Sequence, residues 1–316
     1  MSGIKSMVDI AAPTAALLER TRSQFDAATH ALFLRKRPAW PLAIMRILFG
    51  LVVFGWTATM AVDVGSLLGS DALVPIEFAS QGGWNWFTLE STGAAWVAIG
   101  VLLIASVAIT LGWRPTAWLV VTFVLLVAVQ RRNPMILNSG DVLLRNFALI
   151  LAFMPTGAAL SVDRWRRHGR GSLWTTPSVA PWGLRLIQLQ LCVVYFFAFW
   201  SKGGDLWQNG TAVSTVFRID DITRFGSPGW LTTNVVLIGL FTWGTLAIEL
   251  ALTTLLWARR LRPVLIGLGF LLHFFIDVFV LVGFFGPLMM IGLLSFADAD
   301  WLERRIAARR ARPRPA

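Results

Sequence analysis

The sequence is short of the residues that build soluble folds and most metal sites. Only 14% of its 316 residues are charged, whereas a soluble domain carries about a quarter. Cysteine occurs once, as Cys192, so a disulfide within the chain and a cysteine-based metal site are both excluded. Histidine occurs three times, without the HExxH spacing of zinc hydrolases. We therefore expect no bound metal.

Recognisable nucleic-acid-binding motifs are also missing, although the net charge is +11. The basic residues lie in loops and tails between apolar segments, where they act as topology signals. We therefore expect no nucleic-acid partner. The first forty residues lack a short apolar h-region, so we do not expect a cleavable signal peptide.

What the sequence has in excess is apolar residues. They make up 56% of the chain, and the mean hydropathy is +0.66. Since crossing a hydrocarbon core takes about 20 helical residues, the apolar runs predict an all-α, polytopic helical transmembrane bundle of about eight spans. The predicted spans are 41–62, 93–112, 115–130, 142–160, 184–201, 232–257, 263–281 and 284–298.

The distribution of Lys and Arg predicts the orientation of this bundle. The predicted inner side holds 20 of them, in 1–40, 114, 161–183, 258–262 and 301–316, and the outer loops hold five. Both termini are therefore expected in the cytosol, with membrane lipids around a multi-pass protein of the bacterial cytoplasmic membrane. The predicted parts are a cytosolic or interfacial segment 1–38, a transmembrane domain 39–298 and a basic cytosolic tail 299–316.

Ionisable residues inside predicted spans are candidates for a functional site, because they are expensive at membrane depth. Asp141 and Arg145 are four residues apart and are expected to pair, either as a neutralising pair or in the wall of a ligand cavity. His273 and Asp277 have the same spacing, which suits proton handling or a polar clasp between helices. Glu249 must be paired, protonated or in a wet cavity.

Lys202 closes the run "YFFAFWSKGGDLWQNG", and the other lysines of the chain are Lys5 and Lys36. One interpretation is snorkelling, in which the ammonium of a cation at the end of a span reaches the headgroups. The other is a general base at the outer leaflet. A desolvated lysine can lose its proton and arginine cannot, which gives a reason for lysine in a chain that otherwise uses arginine.

This run resembles the catalytic-lysine stretch of vitamin K-dependent gamma-glutamyl carboxylases and of the wider horizontally transferred transmembrane (HTTM) family. The resemblance rests on Tyr195, Lys202, Trp207 and Gly210, together with "NPMILNSGD", "SVD" and "HFFIDVFVLVGFFGPLMM" elsewhere in the chain. It covers roughly 40–298.

The resemblance implies that Lys202, uncharged, deprotonates a reduced quinone of the vitamin K or menaquinol type. Oxygen then converts the quinol into a strong base, as in a carboxylase or epoxidase. The residues expected to line the substrate and quinone pocket are Asp141, Tyr195, Trp207, Glu249, His273 and Asp277. Protein gamma-carboxylation itself is not expected, because the sequence ends soon after its last span without a substrate-docking domain.

A non-enzymatic class competes with this expectation. Some members of the family resemble membrane components of peptide-toxin maturation, such as sporulation-delaying protein B. As a helper or scaffold of this kind, the chain is expected to have a thioredoxin-like or small secreted peptide partner. A transporter is a third possibility, which no inverted repeat supports.

Overall fold

The structure, a computed structural model, describes residues 19–27, 29–77, 89–226 and 228–310. It is 76% helical with almost no sheet, so the predicted all-α class is confirmed. The long elements are α1 (Trp40–Ala61), α2 (Thr92–Leu111), α3 (Pro115–Arg132), α4 (Ser139–Ala152), α5 (Trp182–Ser201), α6 (Val235–Thr254), α7 (Arg262–Phe279), α8 (Phe285–Leu293) and α9 (Ala299–Arg310).

Shorter elements connect the long helices. Helical turns occupy His30–Leu34, Val64–Leu68, Pro134–Ile136, Val162–His168, Arg170–Trp174, Asp205–Gln208, Ala212–Val216, Asp220–Ile222, Gly229–Thr233, Leu255–Trp257 and Leu294–Phe296. The strands β1 (Arg37–Pro38) and β2 (Ser178–Val179) pair antiparallel, with Arg37 opposite Val179. Residues 1–18 of the predicted N-terminal segment and 311–316 of the predicted tail lie outside the described residues.

In the part of the chain that the structure describes, six helices are long and apolar enough to cross a membrane. They are α1, α2, α3, α5, α7 and α6 with its extension to Trp257. A seventh crossing results if Phe285–Phe296 and Ala299–Arg305, which are bent by 78°, count as one span. By length and composition, the described residues thus support six or seven spans, fewer than the sequence predicts. The sides on which the termini lie stay a prediction.

The fourth predicted span, 142–160, is where the structure departs most from the sequence pattern. Helix α4 has 14 residues and rises about 21 Å, well short of a hydrocarbon core of about 30 Å. It ends at Ala152, because Pro155 follows and disfavours helical backbone in the residue before it. The apolar run continues past this break, which makes the span look longer than the helix is.

Arg46 of α1 binds the segment that follows α4. Its side chain is fully buried and donates to the carbonyls of Thr156, at 3.3 Å, and Leu160, at 2.6 Å. Gly112, after α2, has a φ of 71°, and a Cβ there would lie 2.0 Å from Arg46 Nη1. Both the backbone angle and the close approach therefore require glycine at this position.

The helices α5, α6 and α7 form a group with an apolar outer surface and a polar inner surface. Large apolar side chains such as Phe197, Val236 and Leu271 are more than half exposed on the outside, as expected of a surface that contacts lipid. Tyr195 and His273 are buried on the inside. The candidate site forms between these inner faces.

Candidate functional site

Lys202 directly follows the last residue of α5, and its ammonium is paired with a buried carboxylate. Lys202 Nζ lies 2.7 Å from Glu249 Oε1 and 2.9 Å from Oε2, and it also donates to the carbonyl of Ala198 at 3.0 Å. The side chain of Lys202 is 21% exposed and that of Glu249 is 8% exposed. The two residues therefore form a largely desolvated ion pair between α5 and α6.

The direction of the Lys202 side chain differs from that of a snorkelling cation. A snorkelling ammonium extends away from the apolar core, whereas this one folds back along α5 to a carbonyl one turn earlier. Glu249 lies 14 residues into α6, or about 21 Å from its start at Val235. The ammonium consequently lies along the length of α6 and not at its end.

The ring of Trp207 packs against the Lys202 ammonium. Its ring centroid is 5.3 Å from Lys202 Nζ, which is within cation–π distance. The carbonyl of Trp207 accepts a hydrogen bond from Trp243 Nε1 of α6 at 3.2 Å. Gly210, with a φ of 71°, packs against the Trp243 ring, where a Cβ would approach to 3.0 Å. Lys202, Trp207 and Gly210, on which the family resemblance rests, therefore lie close together in the fold.

Tyr195 and His273 form a second polar pair in the same group of helices. Tyr195 lies two helical turns before Lys202 on α5, and its hydroxyl is 2.8 Å from His273 Nε2. The two side chains are 2% and 3% exposed. The charges of Lys202 and Glu249 lie near enough to act on His273 and Tyr195, respectively. Among the described residues, His273 Nδ1 has no hydrogen-bond partner.

The predicted pair of His273 and Asp277 is not formed. His273 turns its Nε2 to Tyr195, while Asp277 Oδ1 has no hydrogen-bond partner among the described residues. Asp277 lies beside Gly286 of α8, where a Cβ would come within 3.2 Å of Oδ1. The spacing of four residues permits the pair, but a hydroxyl on the neighbouring helix is better placed for the imidazole.

The predicted pair of Asp141 and Arg145 is not formed either. Asp141 is the third residue of α4, and its Oδ2 accepts the backbone N–H of Asn138 at 2.8 Å in a capping box. Its Oδ1 accepts Trp56 Nε1 at 2.6 Å, and Arg145 Nη1 donates to Gln130 Oε1 at 3.1 Å. The cap and the indole occupy both carboxylate oxygens.

Asp141 is separated from the Lys202 pair by Phe285 at the start of α8. A Cβ on Gly140 would lie 2.8 Å from the backbone nitrogen of Phe285, and the Phe285 ring contacts the His273 ring edge to face at 5.9 Å between centroids. The structure thus brings together Lys202, Glu249, Trp207, Tyr195 and His273, and it leaves Asp141 and Asp277 at the border of this group.

Sequence reasoning missed Trp56, Gln130 and Phe285 as partners of these residues. Gln130 is an uncharged polar residue near the end of an apolar helix, which is a usable signal. Trp56 is one of 16 tryptophans, and nothing in its sequence neighbourhood distinguishes it.

An apolar groove of about 550 Å³ is lined by residues of α1, α7 and α8. Phe270, which lines it, lies one turn before His273 on α7, and Phe284, which also lines it, precedes Phe285. The remaining lining residues are Leu48, Leu51, Val52, Pro287, Met290, Ile291 and Leu294. The groove has the size and apolar character of a site for a lipid tail.

The described residues of this group do not form a metal-binding cluster. Within the part of the chain that the structure describes, no cluster of three His, Cys, Asp or Glu side chains is close enough to hold a metal ion. The chemistry available at the site is proton transfer among an amine, a carboxylate, a phenol and an imidazole.

Comparison with models of known protein families gives a match over most of the chain. The family model described as HTTM domain matches residues 34–301, which is most of the chain. No curated protein and no solved structure shows significant similarity to the chain.

Proposed function

Because this chain belongs to the HTTM family, we propose that it is an integral membrane enzyme that acts on a reduced, lipid-soluble quinone with Lys202 as the base. The observation that carries the proposal is the inward ion pair of Lys202 and the buried Glu249. A lysine that only anchors a helix end has no need of a desolvated carboxylate. A base that must exchange its proton can use such a carboxylate as the acceptor of that proton.

Glu249 gives the Lys202 proton a place to go. Their atoms are 2.7 Å apart, so a proton can pass from the ammonium to the carboxylate along an existing hydrogen bond. The transfer leaves a neutral amine and a neutral acid, so it removes two charges that are costly to desolvate. The amine is then free to accept a proton at Nζ. A guanidinium in the same place would keep its proton.

The residues around Lys202 suit a quinone headgroup. The Nδ1 of the buried His273, which has no partner among the residues that the structure describes, can donate or accept a hydrogen bond, and the Trp207 ring offers an apolar face beside Nζ. The apolar groove next to Phe270 fits an isoprenoid tail. A bound quinol would supply the acidic hydroxyl. Tyr195 would hold His273 in one orientation through its 2.8 Å hydrogen bond.

The test compares Lys202→Arg, which keeps a cation, with wild type and with Lys36→Arg. Lys36 is exposed and provides the same substitution away from the site. Purified proteins receive menaquinol and oxygen, which together yield the quinone epoxide and water. We expect epoxide from wild type and Lys36→Arg, and at least about 100-fold less from Lys202→Arg, since a general base contributes this much or more. Equal turnover in Lys202→Arg would overturn the base role.

A non-enzymatic helper is the second candidate, and the same ion pair favours it in part. A charge pair between α5 and α6 is what a structural clasp requires, and Lys202→Arg keeps such a clasp. In this case Lys202→Arg keeps full function in cells, and the protein co-purifies with a thioredoxin-like or small secreted peptide partner. Loss of function in Lys202→Arg with normal expression would exclude the clasp as the sole role.

A further inference from the structure

A second cavity, of about 530 Å³, lies at the end of α5 opposite to Lys202. It is enclosed by β1, by the first turns of α5 and α7, and by the bend between α8 and α9. Arg185 in its wall is 17 residues from Lys202 along the chain, or about 25 Å on a helix. The cavity is therefore separate from the candidate site.

Four arginines line this cavity, Arg37, Arg185, Arg259 and Arg262, against two carboxylates. Of these four arginines, Arg37 is the one that forms a salt bridge with a described residue, to Asp300 at 3.2 Å. Arg185 lies near enough to the other three arginines for their like charges to repel its own. An excess of positive charge collected in a partly enclosed space is a strong signal for an anionic ligand.

Two of the cavity arginines, Arg185 and Arg262, are held in place by neutral groups. Arg185 donates to Gln188 Oε1 at 2.6 Å and to the carbonyl of Leu32 at 3.1 Å. Arg262 donates to the carbonyls of Leu256, at 3.1 Å, and Phe296, at 3.4 Å. These neutral contacts fix the direction of each guanidinium without cancelling its charge. The carboxylate of Asp298 lies near Arg262, and the four arginines still outnumber the two carboxylates of the cavity.

An unpartnered hydroxyl inside the cavity points to the same kind of ligand. Ser295 is only 4% exposed, lines the cavity, and its Oγ has no hydrogen-bond partner among the described residues. The carbonyl of Ser295 accepts Gln188 Nε2 at 2.6 Å, and Gln188 in turn holds Arg185. A buried donor without an acceptor is costly, and a phosphate oxygen would satisfy it.

The rest of the wall is apolar. Pro41, Leu184, Ile266 and Phe296 line the cavity beside the arginines. A ligand with a phosphate next to an acyl chain matches both parts, whereas a free phosphate matches only the first. Basic pockets between transmembrane helices are known to hold anionic lipid headgroups. We propose that this cavity binds the phosphate of an anionic phospholipid, with the glycerol end of the acyl chain against the apolar wall.

The test measures lipid binding to the delipidated full chain in detergent. Phosphatidylglycerol, phosphatidylcholine and inorganic phosphate are added separately, and bound lipid is counted by native mass spectrometry across a concentration series. Arg259→Gln is the main variant, because Arg259 is exposed and makes no hydrogen bond or salt bridge with a described residue, so folding is not at risk. Arg260→Gln is the matched control, since Arg260 does not line the cavity.

We expect wild type and Arg260→Gln to bind phosphatidylglycerol more tightly than phosphatidylcholine, and Arg259→Gln to bind it about tenfold more weakly. Inorganic phosphate at equal concentration is expected not to displace the lipid. Equal binding by Arg259→Gln and Arg260→Gln would overturn the site. Displacement by inorganic phosphate at equal concentration would overturn the lipid assignment, and would instead identify a free anion as the ligand. This test is independent of the quinol assay.

Discussion

Replacing Lys202 by methionine removes the ammonium and keeps most of the side-chain volume, so it isolates the ion pair with Glu249. The carboxylate, 8% exposed, then loses the partner that donated to both of its oxygens. Breaking a buried pair from one side costs about 3–5 kcal/mol. Because Lys202 is 21% exposed, we expect the lower end of that range, about 3 kcal/mol.

The opposite change, Glu249→Gln, is expected to cost less. Lys202 Nζ keeps the carbonyl of Ala198 and gains the amide oxygen of the new glutamine, and water still reaches part of the side chain. A loss of about 1–2 kcal/mol follows, the scale of replacing a charged hydrogen bond by a neutral one. The double variant should lose less than the sum of the two, because it leaves no unpaired charge.

Thermal unfolding in detergent, followed by tryptophan fluorescence, measures these differences. At about 2 °C per kcal/mol, Lys202→Met is expected to lower Tm by about 6 °C and Glu249→Gln by about 3 °C. Lys36→Met, at an exposed lysine, controls for the substitution itself. A larger loss for Glu249→Gln than for Lys202→Met, or strictly additive losses in the double variant, would show that the pair is not the buried unit described above.

Two further variants, with one control, test the contacts of α4 and of the segment that follows it. Trp56→Phe removes the indole donor to Asp141 Oδ1 and is expected to lower the free energy of unfolding by about 1–3 kcal/mol. A smaller loss would refute the hydrogen bond between Trp56 and Asp141. Gly112→Ala is expected to cost at least about 2 kcal/mol, because it strains the left-handed backbone and displaces Arg46. Gly100→Ala in α2, where a Cβ meets nothing within 4 Å, is the control and should be neutral or stabilising by up to about 1 kcal/mol. A similar loss of stability in Gly112→Ala and Gly100→Ala would contradict the close packing at Gly112.

The helical class and most helix positions could be predicted from the sequence, because apolar runs of sufficient length have few alternatives in lipid. The length of α4 could not be predicted from hydropathy alone. The run through Phe153 and Met154 stays apolar, and the break depends on Pro155. Reading the proline as a helix end would have given the right boundary.

The members of the candidate site were easier to predict than their partners. Lys202, Glu249 and His273 stand out as ionisable residues in apolar surroundings. Both pairs predicted from a spacing of four residues were wrong, because that spacing describes an isolated helix. In the folded chain Tyr195 reaches His273 and Trp56 reaches Asp141 from other helices, and single-sequence patterns do not show which helices become neighbours.

The contacts of Arg46 also have a consequence for how the chain is made. Its carbonyl partners, Thr156 and Leu160, are synthesised 110 and 114 residues later. At about 5–20 residues per second, the ribosome needs roughly 5 to 20 s to supply them. During this interval α1 carries a guanidinium without its final acceptors, at an insertion cost of about 2.5–3.5 kcal/mol if it lay at mid-membrane. Arg46 lies six residues from the start of α1 at Trp40. Its long side chain can therefore reach the headgroups until the segment after α4 has been synthesised and inserted.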